Sequence, residues 1–102
     1  MFPFERLKKL NTIENLWVYI LLLLKEKELY GWEIQSLIKK EFNFKPGLIT
    51  PYRVLYRLEK DDLVKSKIRE QRRNYQITEK GKKELELAKN FYRQIIRKLE
   101  GL

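Results

Sequence analysis

A mainly α-helical fold with one small β-hairpin is predicted by the order of hydrophobic patterns along the chain. Three segments before residue 62 carry apolar residues at helical spacing. Residues 64–77 alternate apolar and polar side chains as paired strands do, and helical spacing returns from residue 79. At 102 residues the chain is the size of one domain. The sequence therefore predicts three helices, a hairpin and a long final helix in one unit.

The first predicted helix follows Asn11 and ends near Lys27. Asn11 is a suitable N-cap, and Glu14 three residues later completes a capping box. A broad apolar face recurs at helical spacing: Ile13, Leu16, Trp17, Ile20, Leu21 and Leu24. Leu22 and Leu23 widen this face, which indicates a second buried contact. Residues 1–10, before this helix, form an amphipathic lead-in whose pattern predicts no particular structure.

The second and third helices are separated by strong helix-breaking residues. The second begins near Gly31 and is ended by the segment NFKPG, residues 43–47. The third occupies residues 51–61, with Thr50 as N-cap and Pro51 at the first helical position. At about 100° per residue, the apolar side chains of this helix share one face. The opposite face carries Arg53, Tyr56, Arg57 and Lys60, with Tyr52 at the flank.

The hairpin and the final helix follow directly. In the first strand Val64, Ser66 and Ile68 alternate with basic residues, and Tyr75 and Ile77 point inward on the return strand. The predicted basic outer face and turn contain Lys65, Lys67, Arg69, Arg72 and Arg73. Thr78 is a plausible N-cap for a last helix that continues to about residue 100.

The last helix carries a heptad-like stripe of apolar residues. The stripe comprises Leu85, Ala88, Tyr92, Ile95, Leu99 and Leu102, broadened by Phe91 and Ile96. A helix of about 22 residues extends roughly 33 Å, which exceeds the reach of so small a core. We therefore divide the chain into a domain at residues 1–78, including the lead-in 1–11, and a dimerisation helix at 79–102 packed on that domain.

The composition limits the function. A formal charge of +9 favours a polyanionic partner, nucleic acid first and an anionic membrane surface second. Hydrophobic content of 43% is too high for a disordered basic tail. The chain has no cysteine and no histidine, which removes the thiolate nucleophile, the commonest general base and the commonest metal ligands. We predict no enzymatic activity, no cofactor and no metal site.

The continuously apolar segment LWVYILLLL, residues 16–24, is predicted to be a buried helix. It is shorter than the roughly 20 residues that cross a bilayer. Its distance from the N-terminus and the lack of a cleavage motif argue against a signal peptide. We expect a cytoplasmic protein with no membrane partner, since cysteine is absent and 36% of residues are charged.

The predicted order of elements, three helices and then a basic hairpin, is that of a winged helix-turn-helix. In this architecture the third helix enters the DNA major groove, and the hairpin, called the wing, contacts the DNA backbone. Double-stranded DNA is thus the predicted partner, with residues 51–61 as recognition helix and 64–78 as wing. The predicted DNA-binding residues are Thr50, Tyr52, Arg53, Tyr56, Arg57, Lys60, Lys65, Lys67, Arg69, Arg72 and Arg73. Arginine matches a guanine edge or a phosphate, whereas the wing contacts should be independent of sequence.

Three segments resemble the PadR-like winged-helix transcriptional regulators. They are YGWEIQSLIKKEF, TPYRVLYRLEKDDLV and RRNYQITEKGKKELE, which match the family patterns GYEI, TLYPLLKRLEEEGLI and YYxLTExG. Pro51 and Asp62 depart from the second pattern. The resemblance implies a homodimer joined by N- and C-terminal helices, usually a repressor on a pseudo-palindromic operator.

The resemblance also implies a small hydrophobic effector in some relatives. The aromatic residues that would line its pocket here are Trp17, Tyr30, Trp32, Phe91 and Tyr92. Aromatic residues at helical spacing are also typical of ordinary core and interface packing. The predicted dimerisation residues are Leu85, Ala88, Phe91, Tyr92, Ile95, Ile96 and Leu99.

Two alternatives to a sequence-specific regulator remain at this level. One is an architectural or chromatin protein that coats DNA through backbone contacts alone. The other is a winged-helix module for protein–protein contact, since arginine and tyrosine are also enriched at protein interfaces.

Overall fold

The computed structural model describes residues 1–101, so the last predicted residue of the heptad stripe, Leu102, lies outside the described residues. The elements are α1 (Pro3–Leu10), a 3-10 turn (Ile13–Asn15), α2 (Leu16–Glu26), β1 (Leu29–Tyr30), α3 (Gly31–Phe42), α4 (Thr50–Lys60), β2 (Val64–Arg69), β3 (Arg72–Ile77) and α5 (Glu79–Leu99). The predicted fold class is confirmed: a mainly helical chain with a small sheet and a long C-terminal helix.

The predicted start of the first core helix is wrong. Asn11 does not cap α2 but ends α1, where its backbone N–H and its Nδ2 both donate to the carbonyl of Leu7. A 3-10 turn intervenes, and α2 begins only at Leu16. The capping box with Glu14 therefore does not form, because the preceding lead-in is itself a helix whose end uses Asn11.

The core is built around α2, as the apolar run predicts. Five of its residues are buried: Leu16, Ile20, Leu21, Leu23 and Leu24. Residues from α3, α4, β1, β2, β3 and α5 close over them: Leu29, Ile34, Ile38, Leu55, Leu58, Val64, Tyr75 and Leu85. Leu23 belongs to this core, whereas Leu22 is exposed. Every helix within residues 1–101 falls short of the length or the hydropathy that crossing a bilayer requires.

The close packing of α3 against α4 depends on a glycine. At the first residue of α3, a Cβ added to Gly31 would lie 2.8 Å from Cε1 of Tyr52. The backbone N–H of Tyr30 donates to Oε1 of Glu33 at 2.9 Å, which satisfies a donor at the helix start. Asn43, in the left-handed conformation at φ 62°, ends the helix.

The recognition helix begins one residue earlier than predicted. Ile49 already has helical angles, and its carbonyl accepts from the N–H groups of Tyr52 and Arg53. Thr50 is therefore the first residue of α4 rather than its N-cap, and Pro51 is the second. The helix ends at Lys60, one residue before the predicted end.

The sheet has three antiparallel strands in the order β1-β3-β2, so the predicted hairpin gains a third strand. Val64 is paired with Ile77, and Leu29 with Tyr75. The prediction that Ile68 points into the core is wrong: it is 61% exposed, because the outer half of the hairpin extends beyond the helices. The inner half of the wing thus packs on the core, and its outer half projects from the domain.

The predicted cap of α5 is confirmed. The side chain of Thr78 accepts from the N–H of Gly81 at 3.0 Å and donates to the carbonyl of Asp62 at 2.6 Å. This one hydroxyl therefore fixes both the end of the wing and the start of α5 against the turn after α4.

Candidate nucleic-acid interface

The outward face of α4 carries the predicted recognition residues. Pro51, Leu55 and Leu58 are buried on the inner side of the helix. Arg53, Tyr56, Arg57, Lys60 and Tyr52 are exposed, and Thr50 is half-buried at the helix start. Nε of Arg57 lies 3.3 Å from Oδ2 of Asp61, one turn later. The predicted division of α4 into a buried apolar face and an exposed polar face is confirmed. One of the two arginines on the exposed face, Arg57, forms an ion pair with Asp61.

The basic residues of the wing lie on two faces rather than one. Cross-strand partners point to the same side of a sheet, and Lys67 is paired with Asn74, whereas Arg73 is paired with Ile68. Lys65 and Lys67 therefore share one exposed face, and Arg73 lies on the other. The predicted outer face of β2 is thus kept, and Arg73, which was predicted only as part of the turn, lies on the opposite face.

Glu28, which the sequence did not single out, contacts the wing from the turn before β1. Its carboxylate forms an ion pair with Arg69 and accepts from Nε2 of Gln76. Glu28 and Arg69 are 41 positions apart in the sequence, so no local pattern predicts this pair. Arg69, a predicted DNA contact, thus has an internal anionic partner.

A second acidic residue links the wing to α4. Ser66 donates to Oε2 of Glu59 at 2.6 Å and accepts from Nη1 of Arg73 at 2.9 Å. Burial raises the pKa of Tyr75 above its usual value, and the nearby Glu59 carboxylate raises it further. The inward position of Ser66 was predicted by strand alternation, but its partner in α4 was not.

The predicted effector pocket does not form as one site. Trp17, Phe91 and Tyr92 line a groove of about 350 Å³ between α2 and α5. Tyr30 and Trp32 instead stack on each other at the wing, with ring centroids 6.5 Å apart. The guanidinium of Arg72 lies 5.6 Å from the centre of the Trp32 ring. The five aromatics were grouped by residue type, and the fold separates them.

The predicted dimerisation stripe is also divided along α5. Leu85 is only 8% exposed and belongs to this chain's own core, so it offers almost no surface to another chain. Ala88 and Tyr92 are half-buried. The remaining four residues are exposed: Phe91, Ile95, Ile96 and Leu99. The stripe thus packs on its own domain at the beginning of α5 and is uncovered towards the end.

The half-buried Tyr92 joins α5 to the N-terminal region through polar contacts. Its hydroxyl accepts from Nδ2 of Asn15 at 2.8 Å and donates to Oδ1 of Asn11 at 3.3 Å. The Tyr19 hydroxyl donates to the backbone carbonyl of Asn11 at 2.6 Å. These bonds fix where α1 leaves the domain.

Comparison with known structures finds the same fold in bacterial regulators. A transcriptional regulator from Clostridium thermocellum is 28% identical, with a TM-score of 0.75 over 84% of this chain and 89% of that chain. A PadR family transcription regulator from Clostridium difficile R20291 is 31% identical, with a TM-score of 0.74 over 83% of this chain and 94% of that chain.

Bacillus subtilis PadR, solved in complex with operator DNA, is 28% identical, with a TM-score of 0.62 over 71% of this chain and 45% of that longer chain. No curated protein matches the sequence. The family model for the transcriptional regulator PadR-like family matches residues 20–87, from the middle of α2 to α5. The chain therefore belongs to the PadR-like family of transcriptional regulators.

Proposed function

We propose that this protein is a sequence-specific repressor that binds double-stranded DNA as a homodimer. The observation that carries the proposal is the exposed face of α4, where Arg53, Tyr56 and Arg57 stand opposite a fully buried apolar face. Because only one side of this helix packs on the core, the helix can enter a major groove with its exposed polar side chains directed at the bases. The structure of Bacillus subtilis PadR in complex with operator DNA supports DNA as the partner.

Within this proposal the basic residues have different roles. Arg53 is exposed and forms no ion pair among residues 1–101, so its guanidinium is free to contact a guanine edge. Lys65 and Lys67 are exposed on the wing and act as point charges towards phosphates. The other predicted contacts, Thr50, Tyr52, Lys60, Arg69, Arg72 and Arg73, complete the surface.

The dimer is proposed from two uncovered apolar surfaces. α1 has no buried residue, and its Phe2 and Phe4 are exposed. An isolated helix of eight residues is marginal in water, so α1 requires an apolar partner. The end of α5 and an adjoining groove of about 570 Å³, bordered by Val18 and Leu22 of α2, supply such a surface. We therefore assign residues 79–102 as the helix that joins two copies, with residues 1–78 as the DNA-binding domain.

A small hydrophobic effector is proposed for the groove between α2 and α5. Trp17, Phe91 and Tyr92 give this groove its aromatic lining. Quenching of tryptophan fluorescence by a neutral aromatic compound, lost in Phe91→Ala, would support the assignment. The proposed location of the protein is the cytoplasm, in keeping with a chain that has no cysteine and 36% charged residues.

The decisive experiment is selection from a random-sequence duplex pool, followed by fluorescence anisotropy on the enriched site. We expect a two-fold symmetric site whose half-sites are about one helical turn, roughly 34 Å, apart. With about 6–10 phosphate contacts per dimer, affinity should fall by about 10³–10⁵ between 50 and 200 mM salt. Tight binding without enrichment would favour the architectural alternative, and no binding at low salt would favour a protein partner.

Two variants of equal charge change test the assignment of roles. Arg53→Ala should weaken binding and relax base preference in a repeated selection, since a bidentate contact to a base is worth about 1–3 kcal/mol of discrimination. Lys83→Ala removes an exposed positive charge that lies outside the predicted DNA-binding residues, and should leave the preference unchanged. Unchanged preference in Arg53→Ala would show that this arginine does not read bases.

A further inference from the structure

Trp32 occupies a position that core packing does not explain. It is the second residue of α3 and is 57% exposed, although tryptophan usually buries most of its surface. Its indole is nearly parallel to the ring of Tyr30, at an interplanar angle of 14°. The guanidinium of Arg72 lies over the indole. Trp32 thus lies between an aromatic ring of β1 and an arginine of the wing.

The sheet register brings these residues together. Tyr30 is paired with Asn74, and the antiparallel direction of the strands then places the start of α3 beside Arg72. Arg72 is the first residue of β3, where the wing turns, and its position is exposed. The contact therefore connects the helix-turn-helix to the projecting end of the wing.

The three arginines of the wing differ in what their N–H groups contact. Arg69 is paired with Glu28, and Arg73 donates to Ser66. The side chain of Arg72 has no hydrogen bond or ion pair among the described residues, and its guanidinium lies 5.6 Å from the centre of the Trp32 ring. A guanidinium held near a ring, with no hydrogen-bond partner of its own, keeps its N–H donors available for a phosphate. Arg72 is consequently the wing arginine that is both held in place and open to an anion.

We propose that Trp32 is a positioning residue, which holds the side chain of Arg72 beside the start of α3 so that its N–H groups meet a DNA backbone phosphate. This inference rests on the proposed DNA-binding function and adds the start of α3 to it. A free arginine side chain samples many rotamers and loses that freedom on binding. The indole restricts those rotamers before DNA arrives, so the loss on binding is smaller.

The test compares single and double variants on the enriched duplex site, by fluorescence anisotropy between 50 and 200 mM salt. Trp32→Leu keeps an apolar side chain but has no aromatic face, and it should weaken binding about two- to fivefold for each copy in the dimer, as expected for loss of an exposed cation–π contact. Trp32→Phe keeps a ring and should restore most of the affinity. Each of the two copies in the proposed dimer loses one phosphate contact in Arg72→Ala, so the slope of log K against log [salt] should become shallower by about 2. It should also become shallower, in part, in Trp32→Leu.

The double variant decides whether Trp32 acts through Arg72. Trp32→Leu combined with Arg72→Ala should bind no more weakly than Arg72→Ala alone. Full additivity would overturn the proposal, because Trp32 would then act without Arg72. Wild-type affinity and salt slope in Trp32→Leu would also overturn it, while leaving the proposed function intact. Failure of the wild-type protein to bind any duplex would overturn both.

Circular dichroism and urea unfolding of each variant accompany these titrations. Because Trp32 is largely exposed, Trp32→Leu should unfold at nearly the wild-type urea concentration. If Trp32→Leu proved unfolded, Trp32→Gln, which also lacks an aromatic face, would replace it in the same cycle with Arg72→Ala. If the effects of the two substitutions on affinity were fully additive in that cycle, this result would likewise contradict the positioning role.

Discussion

The hydroxyl of Ser66 in β2 donates a 2.6 Å hydrogen bond to Oε2 of Glu59 in α4. Both residues are half-buried, and the same hydroxyl accepts from Arg73 of β3. One small side chain therefore connects both strands of the wing to the recognition helix. The angle between wing and helix depends on this contact as well as on the apolar core.

Ser66→Ala should lower the free energy of unfolding by about 1–2 kcal/mol, because a charged acceptor and a charged donor both lose their partner. Urea unfolding followed by circular dichroism measures the change. Ser36→Ala is the matched control, since the hydroxyl of Ser36 is exposed and bonds only to the carbonyl of Glu33. Equal effects of the two substitutions would show that the Glu59 contact adds nothing to stability.

Stability should fall as the pH rises through the tyrosine range. Burial and then the Glu59 carboxylate raise the pKa of Tyr75 above its ordinary value of 10.0. The unfolded chain therefore loses this proton first, so the contribution is complete below about pH 10 and is lost above it. Tyr75→Phe should make the urea midpoint less dependent on pH between about 9 and 11.

Tyr56→Phe is the control for that experiment, since Tyr56 is exposed on α4. Its pH dependence should match that of the wild-type protein. A Tyr75→Phe protein with an unaltered pH profile would mean that Tyr75 ionises equally readily in the folded and unfolded chains.

Gly81 is predicted to be intolerant of any side chain. A Cβ at this position would lie 2.2 Å from the backbone carbonyl oxygen of Leu63, which cannot rotate away. Gly81→Ala should cost about 1–3 kcal/mol, as overpacking of a core does, and lower the thermal midpoint. Gly47→Ala is the control, because the Cβ there meets only Oγ1 of Thr50 at 3.4 Å. A stable Gly81→Ala protein would show that the turn after α4 moves more freely than its hydrogen bonds indicate.

The proposed dimer should be sensitive to a charge on the uncovered part of α5. Ile95→Glu places a carboxylate on the apolar stripe, and sedimentation velocity should detect a shift from dimer to monomer at micromolar concentration. Gln94→Glu adds the same charge to the adjacent, exposed polar position and should leave the dimer intact. A dimer that persists in Ile95→Glu would place the interface elsewhere.

The elements that sequence predicted well are those decided by local patterns. Thr78 caps α5 because its partner, the N–H of Gly81, is three residues away. The polarity of α4 follows from side-chain spacing within one helix. The same reasoning failed at Asn11, because two helical segments compete for this residue and α1 uses it.

Features that depend on distant partners could not be read from the sequence. β1 has two residues, too few for an alternation, and exists because β3 pairs with it. Trp32 and Trp17 were assigned to one pocket by residue type, although the sheet register separates them. Glu28 and Glu59 gave no signal, since their partners lie on strands that only the folded chain brings near.

The ion pair between Glu28 and Arg69 bears on the proposed DNA complex. A phosphate that approaches Arg69 must compete with a carboxylate already in place. Every such encounter exchanges one anion for another, and gains less from this arginine than its charge implies. The wing of a chain of charge +9 thus carries its own acidic competitor, which lowers the sequence-independent part of the proposed binding and leaves a larger share of it to α4.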